Sequence, residues 1–232
     1  MREAFSLLES IFALLIIGVA LILGLGFQPQ PPLILAIQSL KADIILAQTL
    51  ALRDSRFFSN LTSTTITHSL SPSINPNKLI THPTMWQIQF HTSGIYTQNS
   101  YSIYIDTPRY AQTTDLDGRP MSGDFIALEP TNNQCLSGYN NTNVSDYCKN
   151  NTSPSVRLKE QFGVEKITFD RDEFCKERDG GRIYFDDLGV PYCGKSPRPI
   201  SKPYKITLHK GRESLSICIT PLSGYVTSCD QK

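Results

Sequence analysis

Residues 5–27 read FSLLESIFALLIIGVALILGLGF, 23 positions whose one charge is Glu9. Wound as a helix, this run extends about 35 Å at roughly 1.5 Å per residue, enough for a bilayer core of about 30 Å. A secretory signal would have a shorter apolar core followed by a small-residue cleavage site. Here Gln28-Pro29-Gln30-Pro31-Pro32 follows, so a retained membrane helix is expected. Glu9 is the anomaly in it, because an ionisable group in a span costs about 2.5 to 3.5 kcal/mol on insertion scales and calls for compensation. The nearby headgroups and the positive end of the helix dipole supply part of that. Arg2, on the short side, agrees with a cytoplasmic N-terminus.

The rest of the chain is polar and of another kind. Across all 232 residues, 22 Lys and Arg oppose 21 Asp and Glu. No global field therefore draws the molecule to nucleic acid or anionic lipid, and any such binding needs a local patch. Pro29, Pro31 and Pro32 cannot continue a regular helix, so the rod should kink or open there. Helical periodicity then resumes, with Leu33, Ala36, Ile37, Leu40, Ile44, Ala47 and Ala51 on one stripe and Gln38, Lys41, Gln48 and Arg53 off it. A stripe of this width is made to pack on a sheet. Beyond Asn60, short alternating runs predict strands over 64–70, 85–92, 95–106, 124–128, 166–170, 182–186, 204–208, 215–220 and 225–228. Gly189, Gly211, Pro221 and Gly224 mark turns between them. The expected fold is α+β: a long hydrophobic helix kinked near Pro29–Pro32, then an antiparallel β-sheet head.

Ala4 followed by Phe5-Ser6-Leu7-Leu8-Glu9 and the apolar run resembles the cleavage and methylation signature of type IV prepilins and type II secretion pseudopilins. Ala4 stands where that family has glycine. The resemblance implies cleavage before Phe5 and N-methylation of Phe5. Glu9 lies four residues on, along the same helical face, and would pair with the terminal ammonium of a neighbouring subunit, setting register as subunits join a fibre. The text LAIQSLKADIILAQTLALRDSR is similar to the helix of GspH and FimT type minor pilins. The phrases RIYFDDLG at 182–189 and ICITPLSGYV at 217–226 are similar to the strand-turn-strand phrases that close their heads. This family frame divides the chain into a leader (1–4), a transmembrane and assembly helix (5–27), a linker with an amphipathic helix (28–58) and a periplasmic head (59–232). It implies as partners other pilins or pseudopilins, the prepilin peptidase and an inner-membrane assembly platform.

All six cysteines, Cys135, Cys148, Cys175, Cys193, Cys218 and Cys229, fall in the head. An even number suits disulfides in an oxidising space. Of fifteen possible pairings, the sequential one is expected, since Cys135–Cys148, Cys175–Cys193 and Cys218–Cys229 each close a short loop. His68, His82, His91 and His209 are dispersed without ligand spacing, which disfavours zinc. There is no G-x-S-x-G, H-E-x-x-H or phosphate-binding glycine loop, so a non-enzymatic role and no cofactor are expected. Asp115 and Asp117, before Gly118, could offer hard oxygen ligands to calcium, although a solvated Asp-Gly turn is the better explanation of them. Lys195, Arg198, Lys202, Lys205, Lys210 and Arg212 form a basic stretch with Tyr192 and Tyr204 nearby. That composition could grip a single nucleic-acid strand, unless the charges are dispersed on strands and neutralised by the acidic residues between 165 and 187. The expected function is a structural subunit of a pilus or pseudopilus, with a DNA-uptake pilin as its alternative.

Overall fold

The structure is a computed structural model that describes residues 7–26, 31–53, 85–94, 97–106, 118–141, 143–177, 180–194 and 198–229. It divides into two compact units, residues 1–31 and 32–232. The first contains helix α1, Leu7–Gly26. The second opens with helix α2, Pro32–Arg53. Proline at the first helical position suits α2, because the N–H it lacks has no intrahelical partner there. Arg53 in the last turn faces the negative end of the dipole.

The head unit contains two antiparallel sheets. In the first the strand order is β3 (Phe125–Ile126), β2 (Ser100–Ile105), β1 (Trp86–His91), β5 (Gly180–Phe185), β6 (Pro191–Cys193) and β7 (Arg198–Pro199). In the second it is β10 (Val226–Ser228), β9 (Glu213–Ile219), β8 (Tyr204–Lys210) and β4 (Lys166–Asp170). Two short helices, α3 (Asp146–Asn150) and α4 (Leu158–Phe162), lie between β3 and β4. The run at 166–170 is a strand as expected, while β5 starts two residues before the expected 182, at a glycine pair. The candidate strand at 64–70 lies outside the described residues.

Helix α2 is the core helix of the head. By length and composition alone it could cross a membrane. Its stripe of Leu33, Ala36, Leu40, Ile44, Ala47 and Ala51 is buried instead, in one cluster with Ile88 and Phe90 of β1, Ile183 and Phe185 of β5, Ile206 and Leu208 of β8 and Ile217 and Ile219 of β9. Both sheets therefore use the same helix. Burial of each large side chain contributes about 1.5 to 3 kcal/mol. Strand β8 shows why the pattern was readable: Tyr204, Ile206 and Leu208 are buried and Lys205, Thr207 and His209 are half-buried on the other face, the alternation of a sheet with one face on the core.

Three disulfides close the head: Cys135–Cys148, Cys175–Cys193 and Cys218–Cys229, with Cα separations of 5.4, 5.0 and 5.2 Å. The loops they span cover 13, 18 and 11 positions, so each removes unfolded-state freedom equivalent to about 3 kcal/mol. They do different work. Cys135–Cys148 is the centre of a small second core with Val144, Ile126 and Tyr139. Cys175–Cys193 ties the single 3-10 turn after β4 to β6, joining one sheet's exit to the other sheet. Cys218–Cys229 pins the chain beyond β10 to β9.

Candidate functional site

Helix α1 carries the first candidate site. Leu7, Leu8, Ile11, Phe12, Leu14, Leu15, Ile16, Ile17 and Val19 are all exposed, from 48% to 82%. Covering nine such side chains is worth on the order of 20 kcal/mol, so α1 is a helix that must work against lipid or protein. Its 20 residues extend about 30 Å, sufficient to span a membrane or to act as a signal sequence. Glu9 is in its first turn and exposed, where the helix dipole favours a carboxylate. Ala4 and Phe5, the expected processing residues, lie outside the described residues.

A second feature joins the two closing phrases of the sequence. The β5–β6 turn is organised by Asp186, whose Oδ1 accepts the N–H of Leu188 at 3.0 Å and of Val190 at 2.7 Å. In the β9–β10 turn the Ser223 N–H donates to the Pro221 carbonyl at 2.7 Å, a γ-type turn around Leu222, whose φ is +64°. One side chain holds both. Gln48 Nε2 donates to the Gly189 carbonyl at 2.9 Å and to the Ser223 carbonyl at 2.8 Å. Gly224 (φ +63°) must be glycine there, because a Cβ would sit 2.5 Å from Gln48 Nε2 and 2.7 Å from the Gly189 carbonyl. The tips so presented, Leu188, Leu222 and Tyr225, are 65% to 77% exposed. Periodicity put Gln48 off the core stripe and gave no sign of this role, since a side chain that bonds loops 141 and 175 residues away leaves no local signal.

The described cations of the basic stretch are spread over β7, β8 and the turns beside them. Lys195 lies outside the described residues. Arg198 is on the edge strand β7, 6.0 Å over the Phe174 ring. Lys202 pairs with Asp170 at 3.1 Å. Lys205 is on the outward face of β8, opposite Asp170 in register. Lys210 donates to the Phe162 carbonyl at 3.0 Å, and Arg212 is exposed in the β8–β9 turn. Of the calcium candidates, Asp115 and Asp117 lie outside the described residues; the Gly118 N–H after them donates to Asp106 Oδ2 at 2.6 Å. Among the described residues no three His, Cys, Asp or Glu side chains group as metal ligands.

Asp43 of α2 is half-buried and His91 of β1 is buried. Tyr101 donates to Asp43 Oδ2 at 2.6 Å. Burial pushes the Asp43 carboxyl up to about 6, opposed by the Tyr101 bond and assisted by Glu129. His91 shares a hydrogen bond with Ser102 Oγ at 2.9 Å. Burial, with repulsion from Arg182, pulls it down to about 3. Below its ordinary value near 6.5 the unfolded histidine takes a proton that the folded one refuses, so stability falls as pH drops through that range toward 3. Asp43 acts oppositely: between its ordinary value near 3.8 and about 6 the folded state holds the extra proton, so its contribution declines as pH rises. We expect the urea midpoint in detergent to fall between pH 6.5 and 4, and Asp43→Asn to steepen that fall. A midpoint that rises on acidification would show that the His91 pocket is open to protonation.

Comparison with protein-family models, with curated proteins and with solved structures finds no match to this chain.

Proposed function

We propose that the chain is a minor pilin or pseudopilin, a structural subunit held in the cytoplasmic membrane by α1, with its disulfide-closed head on the oxidising side. The observation that carries this reading is the pairing of an all-round exposed apolar helix, with one acid in its first turn, and a compact head closed by three disulfides. Lipid covers such a helix in storage, and the apolar helices of neighbouring subunits cover it in a fibre. The exchange of lipid for protein is close to neutral for the leucines and isoleucines. Glu9 breaks that neutrality, since its carboxylate gains only where a neighbour offers a positive group. Prepilin peptidase would expose the ammonium of Phe5 as that group, and an assembly platform would lift the subunit from the bilayer. The disulfides suit a head that works outside the reducing cytoplasm.

The test is the N-terminus of the native protein. Mass spectrometry of material from its own host is expected to show a chain that starts at N-methylated Phe5. Full-length chains with residues 1–4 attached would overturn the reading.

A further inference from the structure

A cleft of about 420 Å³ lies between the end of β4, the 3-10 turn and the chain entering β8. That volume is within the range of small-ligand sites. Most of the charge around it is matched. Asp170 pairs with Lys202 at 3.1 Å, Glu173 with Lys176 at 2.6 Å, and Glu177 with Arg182 at 3.3 Å. Arg171 differs: among the described residues no carboxylate contacts it. Its guanidinium is nonetheless fixed. Nη1 donates to Tyr204 Oη and Nη2 to the Gly180 carbonyl, both at 2.9 Å, and the group lies 4.8 Å over the Phe169 ring. Two of its five N–H groups are thus used on neutral acceptors, and the fork is already ordered before any ligand arrives.

We infer that this cleft binds a carboxylate, taken by Arg171, with the apolar part of the ligand against Phe169. A planar fork that is ordered, desolvated on its ring side and without a carboxylate contact among the described residues is suited to a two-oxygen anion. The two rim pairs, Asp170–Lys202 and Glu173–Lys176, are exposed and individually worth little, so their lysines can turn toward the ligand. Their carboxylates, with that of Glu177, repel a second negative charge and so favour a single carboxylate over phosphate. This assignment is independent of the proposed role of α1. A polypeptide C-terminus and an acidic side chain are the two sources of such a carboxylate.

Titration of the full chain in neutral detergent, followed by calorimetry, separates these. N-acetylphenylalanine presents a terminal carboxylate, N-acetylglutamate α-amide a side-chain one, and N-acetylphenylalanine amide neither. At least one of the two acids is expected to bind at least about tenfold more tightly than the amide, as loss of a charge-assisted contact requires. The tighter acid identifies the source. Arg171→Gln is expected to abolish the difference, and Arg212→Gln, at an exposed cation in the β8–β9 turn away from the cleft, to leave it within about twofold. Should Arg171→Gln fail to fold, the comparison of acid and amide on the unaltered chain decides alone. Equal affinities for acid and amide, or no binding of any probe at about 10 mM, overturn the assignment.

Discussion

Glu9→Leu is expected to remove the chain from assembled fibres while leaving its insertion in the membrane and the fold of its head intact. The substitution makes α1 apolar from end to end, so insertion gains by the cost of about 2.5 to 3.5 kcal/mol that the carboxylate imposed. In the proposed fibre the same change would delete the acid half of an ion pair and leave the neighbour's ammonium buried without a partner, at a cost of about 3 to 5 kcal/mol. The two terms have the same sign. Together they shift the partition between bilayer and fibre by about 6 to 8 kcal/mol toward the bilayer, at least a ten-thousandfold change. The measurement is the amount of this chain in sheared or secreted fibres relative to membranes, by immunoblot. Equal incorporation of wild-type and Glu9→Leu chains would sink the assembly role. Glu9→Asp, which keeps charge but shortens reach, is expected to fall between them.

Gly180→Ala is expected to unfold the head. Gly180 pairs with His91 across the β1–β5 ladder at φ +148°, where L side chains are rarely found. A Cβ there would collide with the Phe90 carbonyl, which is backbone and has no rotamer to escape by. Relief requires the end of the β1–β5 ladder, between the two central strands of the first sheet, to open. It would also move the Gly180 carbonyl that holds Arg171. A loss above about 4 kcal/mol follows, a large part of the stability of an ordinary domain. Thermal unfolding by circular dichroism checks it; a midpoint within about 3 °C of wild type would mean that the ladder tolerates a side chain there. Gly181 invites a useful comparison. Its Cβ would meet the Phe169 ring at 2.7 Å and Tyr204 Oη at 2.7 Å, side chains that can shift, so Gly181→Ala should cost less than Gly180→Ala.

The parts of the fold that depend on local pattern were legible in the sequence. Six of the seven residues of the expected α2 stripe are fully buried, and Ile37 is packed at its edge. The alternating run at 166–170 and the one that begins at Tyr204 form paired strands of one sheet. Cysteine spacing suggested short closed loops, and the three disulfides close such loops. Features made by distant segments were not legible. Nothing in the sequence around Arg171 marks it out, yet Gly180 and Tyr204 fix its guanidinium beside a cleft. For the basic stretch at 195–212 the sequence left open a patch or cations dispersed on strands; Arg198 is on β7 of the first sheet and Lys205 on β8 of the second.

The sequence alone determined that one end of this protein is a long apolar helix with a single acid and that the rest is an α+β body whose cysteines lie in short loops. Those properties follow from residue type and from periods of 2 and 3.6, which any stretch of chain expresses without reference to the remainder. Tertiary structure decided that α2 serves both sheets, that Gln48 clasps two turns far along the chain, and which charges are matched. Such pairings form only when separated stretches of chain, 141 and 175 residues apart for the Gln48 bonds and 32 for Asp170–Lys202, come within a few ångströms, the range of a hydrogen bond or a close ion pair.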